Sequence, residues 1–373
     1  MEPLRSLGDA RLAPGLFDFH GVLFFKPLEK NLKKSLLSML ALAAVAGGAQ
    51  AQSSVQVMGL MDGFAGSIRM AGDSAATKQV GSGGMTTSWV GFKGTEDLGG
   101  GLKANFALTS FMRINSGTPG RFSGDNFFSR DANLGLSGDF GAVTIGRGLA
   151  PNFLPTVIFN PFGDSFTFSP LVLHANVGLF NGTGWTATTP SDTGWSNEII
   201  YSTPKFGGLS GNVHYQFSNL ADTGGNSGKK NVGANALYFN GPLALTAFYE
   251  RDQLTNPTVT TFSPLNTKTD WMLGGSYDFA VAKAFLTYGQ ANNDLTPKAK
   301  TTSIGASAPV GAGKFLAAYA QTKIDGGASR KTASFGYDYF LSKRTDVYAV
   351  YMNDKITAKS TGNSFGVGIR HSF

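Results

Sequence analysis

The chain has 373 residues, with 50 Gly, 30 Phe, no Cys and a formal charge of +7. Without cysteine there is no disulfide scaffold and no thiolate metal or redox centre, and so much glycine suits a helical bundle poorly. The basic excess comes without a basic run or an aromatic-basic motif, so nucleic acid is not an expected partner.

Residues 31–51 place Lys33 and Lys34 before an apolar run from Leu36 to Ala46 and end in Ala49-Gln50-Ala51. That order of charge, apolar run and small residues predicts a secretory signal peptide cut before Gln52, and the run is too short for a transmembrane helix. Two origins fit residues 1–30: a misplaced start, with Leu32 as the true initiator on a non-ATG codon, or a cytoplasmic extension. Neither belongs to the fold. Removing residues 1–51 takes six Lys/Arg from 31 and four Asp/Glu from 24, leaving a formal charge of +5 on residues 52–373.

From Ser54 onward, segments of about ten residues rich in Val, Tyr, Phe, Thr and Ala alternate with Gly/Asn/Asp/Ser connections, and the segments show the period of two that marks strands. Leu102, Ala104, Phe106 and Leu108 share one face, while Lys103, Asn105, Ala107 and Thr109 share the other. Sixteen such segments are expected, among them Phe127–Ser137 and Gly141–Arg147 before a long interruption. Their connections alternate in length. Asp139-Phe140, Asn240-Gly241-Pro242 and Gly311-Ala312-Gly313 are short, whereas 72–84, 115–126, 219–230, 253–270, 291–300 and 355–363 are long.

Short turns at one end and long loops at the other predict an all-β, sixteen-stranded antiparallel transmembrane β-barrel. A soluble sandwich would carry more than 15% charged residues on its outer faces. In lipid the apolar face needs no partner, but every backbone donor and acceptor does, so the sheet must close. Aromatics gather where strands reach the short turns, at Tyr238-Phe239, Tyr277 and Phe279, and Tyr337, Tyr339 and Phe340, as an interfacial girdle requires.

The interruption, 148–195, holds no lysine or arginine and carries Phe153, Phe159, Phe162, Phe166, Phe168 and Phe180. Its length marks it as functional or disordered, and its apolar composition argues against disorder. It is expected to fold inward and fill part of the lumen.

Several stretches resemble the general porins of Gram-negative bacteria, most closely the trimeric sixteen-stranded porins of beta-proteobacterial type: Ser53–Gly63, Val90–Phe106 with its GTEDLGGGLKA turn, Phe128–Gly146, Tyr337–Tyr348 and Gly366–Phe373. The resemblance implies an outer-membrane homotrimer passing ions and small hydrophilic solutes by passive diffusion. It further implies a constriction formed by the loop after the fifth strand, whose acidic residues face wall arginines. Contact with outer-membrane lipid and lipopolysaccharide is expected, and Phe373 resembles the signal read by the assembly machinery. Arg130 and Arg147 match wall arginines of the fourth and fifth strands. Arg130, however, shares parity with Leu134 and Leu136, so its place in the lumen implies that Asp131 and Asn133 lie on the outer surface.

Three departures stand out. Trp89 occupies the place of a second-strand arginine; Val177–Phe180 replaces a third; and the acidic turn, Asn160–Asp164, has Pro161 at its usual glutamate position and Asp164 beyond it. Weak charge selectivity and an aromatic eyelet lined by Trp89, Phe162 and Phe166 are therefore expected. The alternative is a substrate-specific channel for less polar or aromatic small molecules. Lys103 and Arg113 are expected to line the lumen. The mature histidines, His174, His214 and His371, fall in separate segments with no triad or ligand spacing, so neither enzyme, metal site nor cofactor is expected.

Overall fold

Period-two alternation gives each strand a wet face and an apolar face, and the computed structural model, describing residues 54–175, 194–217, 230–253, 267–293 and 296–373, shows what the chain does with them. Sixteen antiparallel strands form the wall: β1 (Ser54–Ile68), β2 (Trp89–Gly99), β3 (Leu102–Arg113), β4 (Asp131–Gly138), β5 (Gly141–Leu149), β6 (Gly194–Ser202), β7 (Leu209–Gln216) and β8 (Asn231–Asn240), followed by β9 (Leu243–Gln253), β10 (Thr267–Asp278), β11 (Lys283–Asn293), β12 (Thr296–Val310), β13 (Gly313–Ile324), β14 (Ser329–Phe340), β15 (Thr345–Ile356) and β16 (Gly362–Ser372). Each pairs with its sequence neighbours, and β16 returns to β1, from Leu60 opposite Ser372 to Ser67 opposite Phe365. The barrel is closed. No strand edge is left to hydrocarbon, which is what makes the sheet viable in a membrane.

Two short strands supplement the wall. Thr77–Ser82 pairs with the upper half of β1, and Thr118–Pro119 caps the end of β3. On β14 the alternation is plain: Phe335 is 60% exposed, whereas Ser334 beside it is fully buried and donates to the Phe168 carbonyl inside the barrel. Phe239, Tyr277, Phe279, Tyr339 and Phe340 are all exposed near the short turns.

The structure corrects two boundaries. β4 begins at Asp131 rather than Phe127, because Phe127 and Phe128 form a turn in which the Ser110 hydroxyl donates to the Phe127 carbonyl. The long loop expected at 291–300 is overturned at its described residues, since β11 and β12 keep pairing through Ala291–Ala299 and Asn293–Thr296. The apolar-polar contrast fades there, but backbone pairing continues without it.

Within the interruption lie two helical turns, α1 (Phe153–Ile158) and α2 (Pro170–Ala175). Both lie against inward-facing side chains. Phe159 packs on Leu237 and Ala244, Leu171 on Phe248 and Met272, and Phe162 and Phe168 join Phe64, Met85, Leu316, Tyr348, Val350 and Met352. The aromatic residues of this loop are its anchor. The expected signal peptide and residues 1–30 lie outside the described residues, as does Phe180.

Candidate functional site: the lumen beside Asp164

The site is built from a carboxylate outward. Asp62 on β1 is fully buried and accepts backbone N–H bonds from Gly84 (3.1 Å), Met85 (2.7 Å) and Thr86 (2.7 Å), together with the Tyr348 hydroxyl. These bonds fold the connection before β2 inward. Gly84 suits this position, since a β-carbon there would collide with the Tyr348 hydroxyl. The folded segment then holds the loop: Ser165 Oγ donates to the Gly84 carbonyl (2.6 Å) and Thr167 Oγ1 to that of Gly83 (2.9 Å).

The turn carrying Asp164 is shaped by Asn160. Its amide donates to the carbonyls of Thr156 (2.8 Å) and Gly163 (2.9 Å), and its oxygen accepts from the Phe162 amide (2.8 Å) and the Ser169 hydroxyl (2.9 Å). Gly163 takes a left-handed φ of 56°, which delivers Asp164 to the wall. There its carboxyl comes within electrostatic reach of the Thr86 hydroxyl, Arg370 and Arg130. Burial pushes the Asp164 carboxyl up to about 6, and the Thr86 hydroxyl and the two arginines offset only part of that rise.

Arg370, which sequence reasoning passed over, is the best-held cation of the site. On β16 its Nε donates to Asp346 (3.1 Å), its Nη2 to Asp338 (3.3 Å) and its Nη1 to Thr86 Oγ1 (2.9 Å). Thr86 thus accepts from Arg370 on the side of the lumen that Asp164 approaches. Lys314 adds a second cation 3.7 Å from Asp338. A signal was present in the sequence: Phe365, Val367 and Ile369 turn outward at 48%, 46% and 51% exposure, so alternation sends Arg370 inward.

Arg130 lies in a bend before β4, with its guanidinium carbon 4.0 Å from the Trp89 ring centroid and Nη1 3.4 Å from Asp131. Because it precedes the strand, strand parity does not bind it. Asp131 and Asn133 therefore face inward as well, and the outer-surface placement expected for them is overturned. Asp131 accepts from Thr109 Oγ1 (2.6 Å), and Leu134 and Leu136 are the exposed residues of β4.

Arg147 is not brought to Asp164. Its guanidinium donates to the carbonyls of Ser129 (2.6 Å) and Gly194 (3.1 Å) and to Ser196 Oγ (2.9 Å), clamping the root of the loop. The register shift between Gly146 and Gly148, with Gly146 at φ 128° and Asn197 at φ 56°, makes room for this clamp. Arg147 is 6% exposed with its guanidinium committed to the loop root, which corrects its expected place on the pore wall facing Asp164. Phe162 is likewise corrected from eyelet lining to anchor, at 1% exposure, while Trp89 and Phe166 remain partly exposed.

Lys103 is exposed at the short-turn end of β3, opposite Asp97. Arg113 ends that strand beneath Thr118. Phe373 exchanges both backbone bonds with Gly59 (3.2 and 3.0 Å), so the chain end is stitched to β1. The far end of the loop is latched by Arg330, bonded to Asp354 (2.9 and 3.1 Å) and to the Leu173 carbonyl (3.0 Å), and by His174, 2.8 Å from the hydroxyls of both Thr322 and Thr332. Burial holds His174 well below its usual range, and it bridges the two hydroxyls as a neutral ring.

Comparison with known proteins agrees with this architecture. A family model described as Gram-negative porin matches residues 38–359. The outer membrane porin protein 32 of Delftia acidovorans is 33% identical over 374 residues, covering 92% of this chain and 100% of that one. An outer membrane porin protein of Bordetella pertussis is 30% identical over 408 residues, with 92% and 100% covered. Among solved structures, an anion-selective porin from Comamonas acidovorans superposes with a TM-score of 0.69 at 28% identity, over 86% of this chain and 100% of that one.

Proposed function

The chain belongs to the Gram-negative porin family and is an outer-membrane porin, and from that premise we propose that it forms a passive diffusion channel of weak charge selectivity whose narrowest ring is Asp164 facing Arg370 and Arg130. The observation that carries this reading is the Arg370 guanidinium, which is bonded to Thr86, Asp338 and Asp346 and lies within electrostatic reach of Asp164. Opposite charges are held beside each other, so an ion crossing the ring meets a compensated field rather than a ladder of one sign. Asp62, Asp338 and Asp346 lie beside Arg370, which further offsets its charge. Trp89 and Phe166 give the ring its aromatic share. Because Phe159, Phe162 and Phe168 are spent on anchoring the loop, a channel dedicated to aromatic solutes is the weaker reading.

As in the family, three barrels associate, and each conducts separately. Single-channel recording in a planar bilayer, with reversal potentials across a KCl gradient, tests the proposal. Ohmic steps in groups of three with a small reversal potential are expected. Steps blocked by one class of solute, or a strongly one-signed reversal potential, would overturn it.

A further inference from the structure

A charged feature that the pore does not use lies on the outside of the barrel. On the wall from β12 to β15, Lys300 stands directly opposite Lys323, and Lys331 directly opposite Lys355. Lys323 lies one diagonal from Lys331, since Gln321 is the residue paired with it. All four share strand parity with outward apolar residues: Lys300 with Ile304, Lys323 with Phe315, Lys331 with Phe335 and Lys355 with Tyr351, which are 53%, 54%, 60% and 45% exposed. The four lysines thus form one row across four adjacent strands, about 14 Å wide at the usual strand spacing.

Like charges directly opposite on neighbouring strands destabilise a sheet. Only Lys300 is compensated, by Asp325 at 2.9 Å. Lys323, Lys331 and Lys355 are exposed and have no carboxylate partner among the described residues. The row stands at the rim opposite the short turns, because β12 and β13 meet below it through Gly311 and Ala312, and β14 and β15 through 341–344. Beneath it on the same wall runs an outward groove floored by Ala306, Ala308, Ala317 and Ala349 between the rings of Phe335 and Tyr351.

We propose that this row, with the groove below it, seats a phosphorylated glycolipid of the outer leaflet: the headgroup phosphates lie across Lys323, Lys331 and Lys355, and an acyl chain lies in the alanine-floored groove. The anion required by the uncompensated lysines and the apolar chain required by the groove then come from one molecule. From Lys331 down to Tyr339, the outward residues Ala333, Phe335 and Tyr337 carry no charge. Eight residues along a tilted strand span roughly 20 Å, close to the height of an outer-membrane apolar band, so the lysines reach headgroup depth. The inference is independent of how the pore selects ions.

The test uses folded full-length barrel in detergent, titrated with rough lipopolysaccharide and with the same lipid after enzymatic removal of its phosphates, bound lipid being counted by native mass spectrometry. The triple variant Lys323→Gln, Lys331→Gln, Lys355→Gln is compared with Lys205→Gln, which lies in a short turn. At the usual contribution of a lysine near an anionic surface, the triple variant loses roughly a hundredfold in affinity, and the native barrel shows a similar loss for the dephosphorylated lipid. Heat-modifiable electrophoretic mobility confirms that each variant is folded. Equal affinity of native and triple-variant barrels, an equal loss in Lys205→Gln, or complete displacement of the lipid by millimolar inorganic phosphate would each overturn the proposal.

Discussion

Replacing Arg370 by glutamine is the sharpest test of the charge arrangement at the ring. The change removes one cation and leaves Asp338 and Asp346 each short of a donor now at 3.3 and 3.1 Å. Since the Arg370 side chain is 20% exposed, water replaces part of that loss, and a cost of about 2 kcal/mol is expected, which a closed barrel tolerates. The effect on permeation is larger in relative terms. An ion passing about 7 Å from a unit charge in water interacts with it by about 0.6 kcal/mol, and screening at 0.1 M salt roughly halves this. Cations gain about 1.6-fold in the ring and anions lose the same factor, so the cation-over-anion permeability ratio rises about threefold. Reversal potentials across a KCl gradient, measured for native, Arg370→Gln and Arg370→Lys channels, read this ratio directly. Arg370→Lys keeps the charge and should stay near the native value. A glutamine channel with unchanged selectivity, or one shifted towards anions, would refute the placement of Arg370 beside the ion path.

The raised Asp164 carboxyl predicts a pH response. The folded barrel holds this proton between the ordinary 3.8 and about 6 while the unfolded chain does not, so the group's contribution to stability is present at acid pH and is lost as pH rises through that window. Lowering pH from 7.5 to 5 should therefore raise anion preference, and Asp164→Asn should remove the step centred near pH 6 in a reversal-potential titration. Truncating Phe168, which is fully buried, to alanine should cost the loop about 3–5 kcal/mol of packing. The barrel would still fold, but open-channel noise should increase; a silent current trace would show that the loop is held without its aromatic anchor. Gly84→Ala forces a β-carbon against the Tyr348 hydroxyl, so the segment carrying Thr86 must shift and selectivity should change as in Arg370→Gln. A normal reversal potential in that variant would contradict the chain of contacts from Asp62 to Asp164.

How far the sequence could be read depended on the range of each interaction. Strand identity is a two-residue property, and it was legible from Leu102 to Thr109 and across all sixteen wall segments. Short turns were legible through their glycines. Where periodicity faded the reading failed: residues 291–293 and 296–300 lie in paired strands because backbone bonds do not require an apolar face. Arg147 misled because a register shift between Gly146 and Gly148, visible only through its partner strand, moves it to the loop root. Phe162 misled because an aromatic residue in a loop fits lining and anchoring equally well until the wall it touches is known. Arg370 was legible by alternation, but its partners were not.

By itself, then, the sequence determined the wall: alternating faces, an even strand count, turns at one end, and an apolar outer surface that only a closed sheet in lipid can satisfy. Tertiary structure alone decided the ring. Closure of β16 onto β1 sets Arg370 against Thr86, 284 residues away in the chain, and the buried Asp62 carboxylate folds the segment that carries Thr86 towards Asp164. Faces follow from the geometry of neighbouring peptides, whereas charge pairing follows from which distant strands the barrel's closure brings into contact.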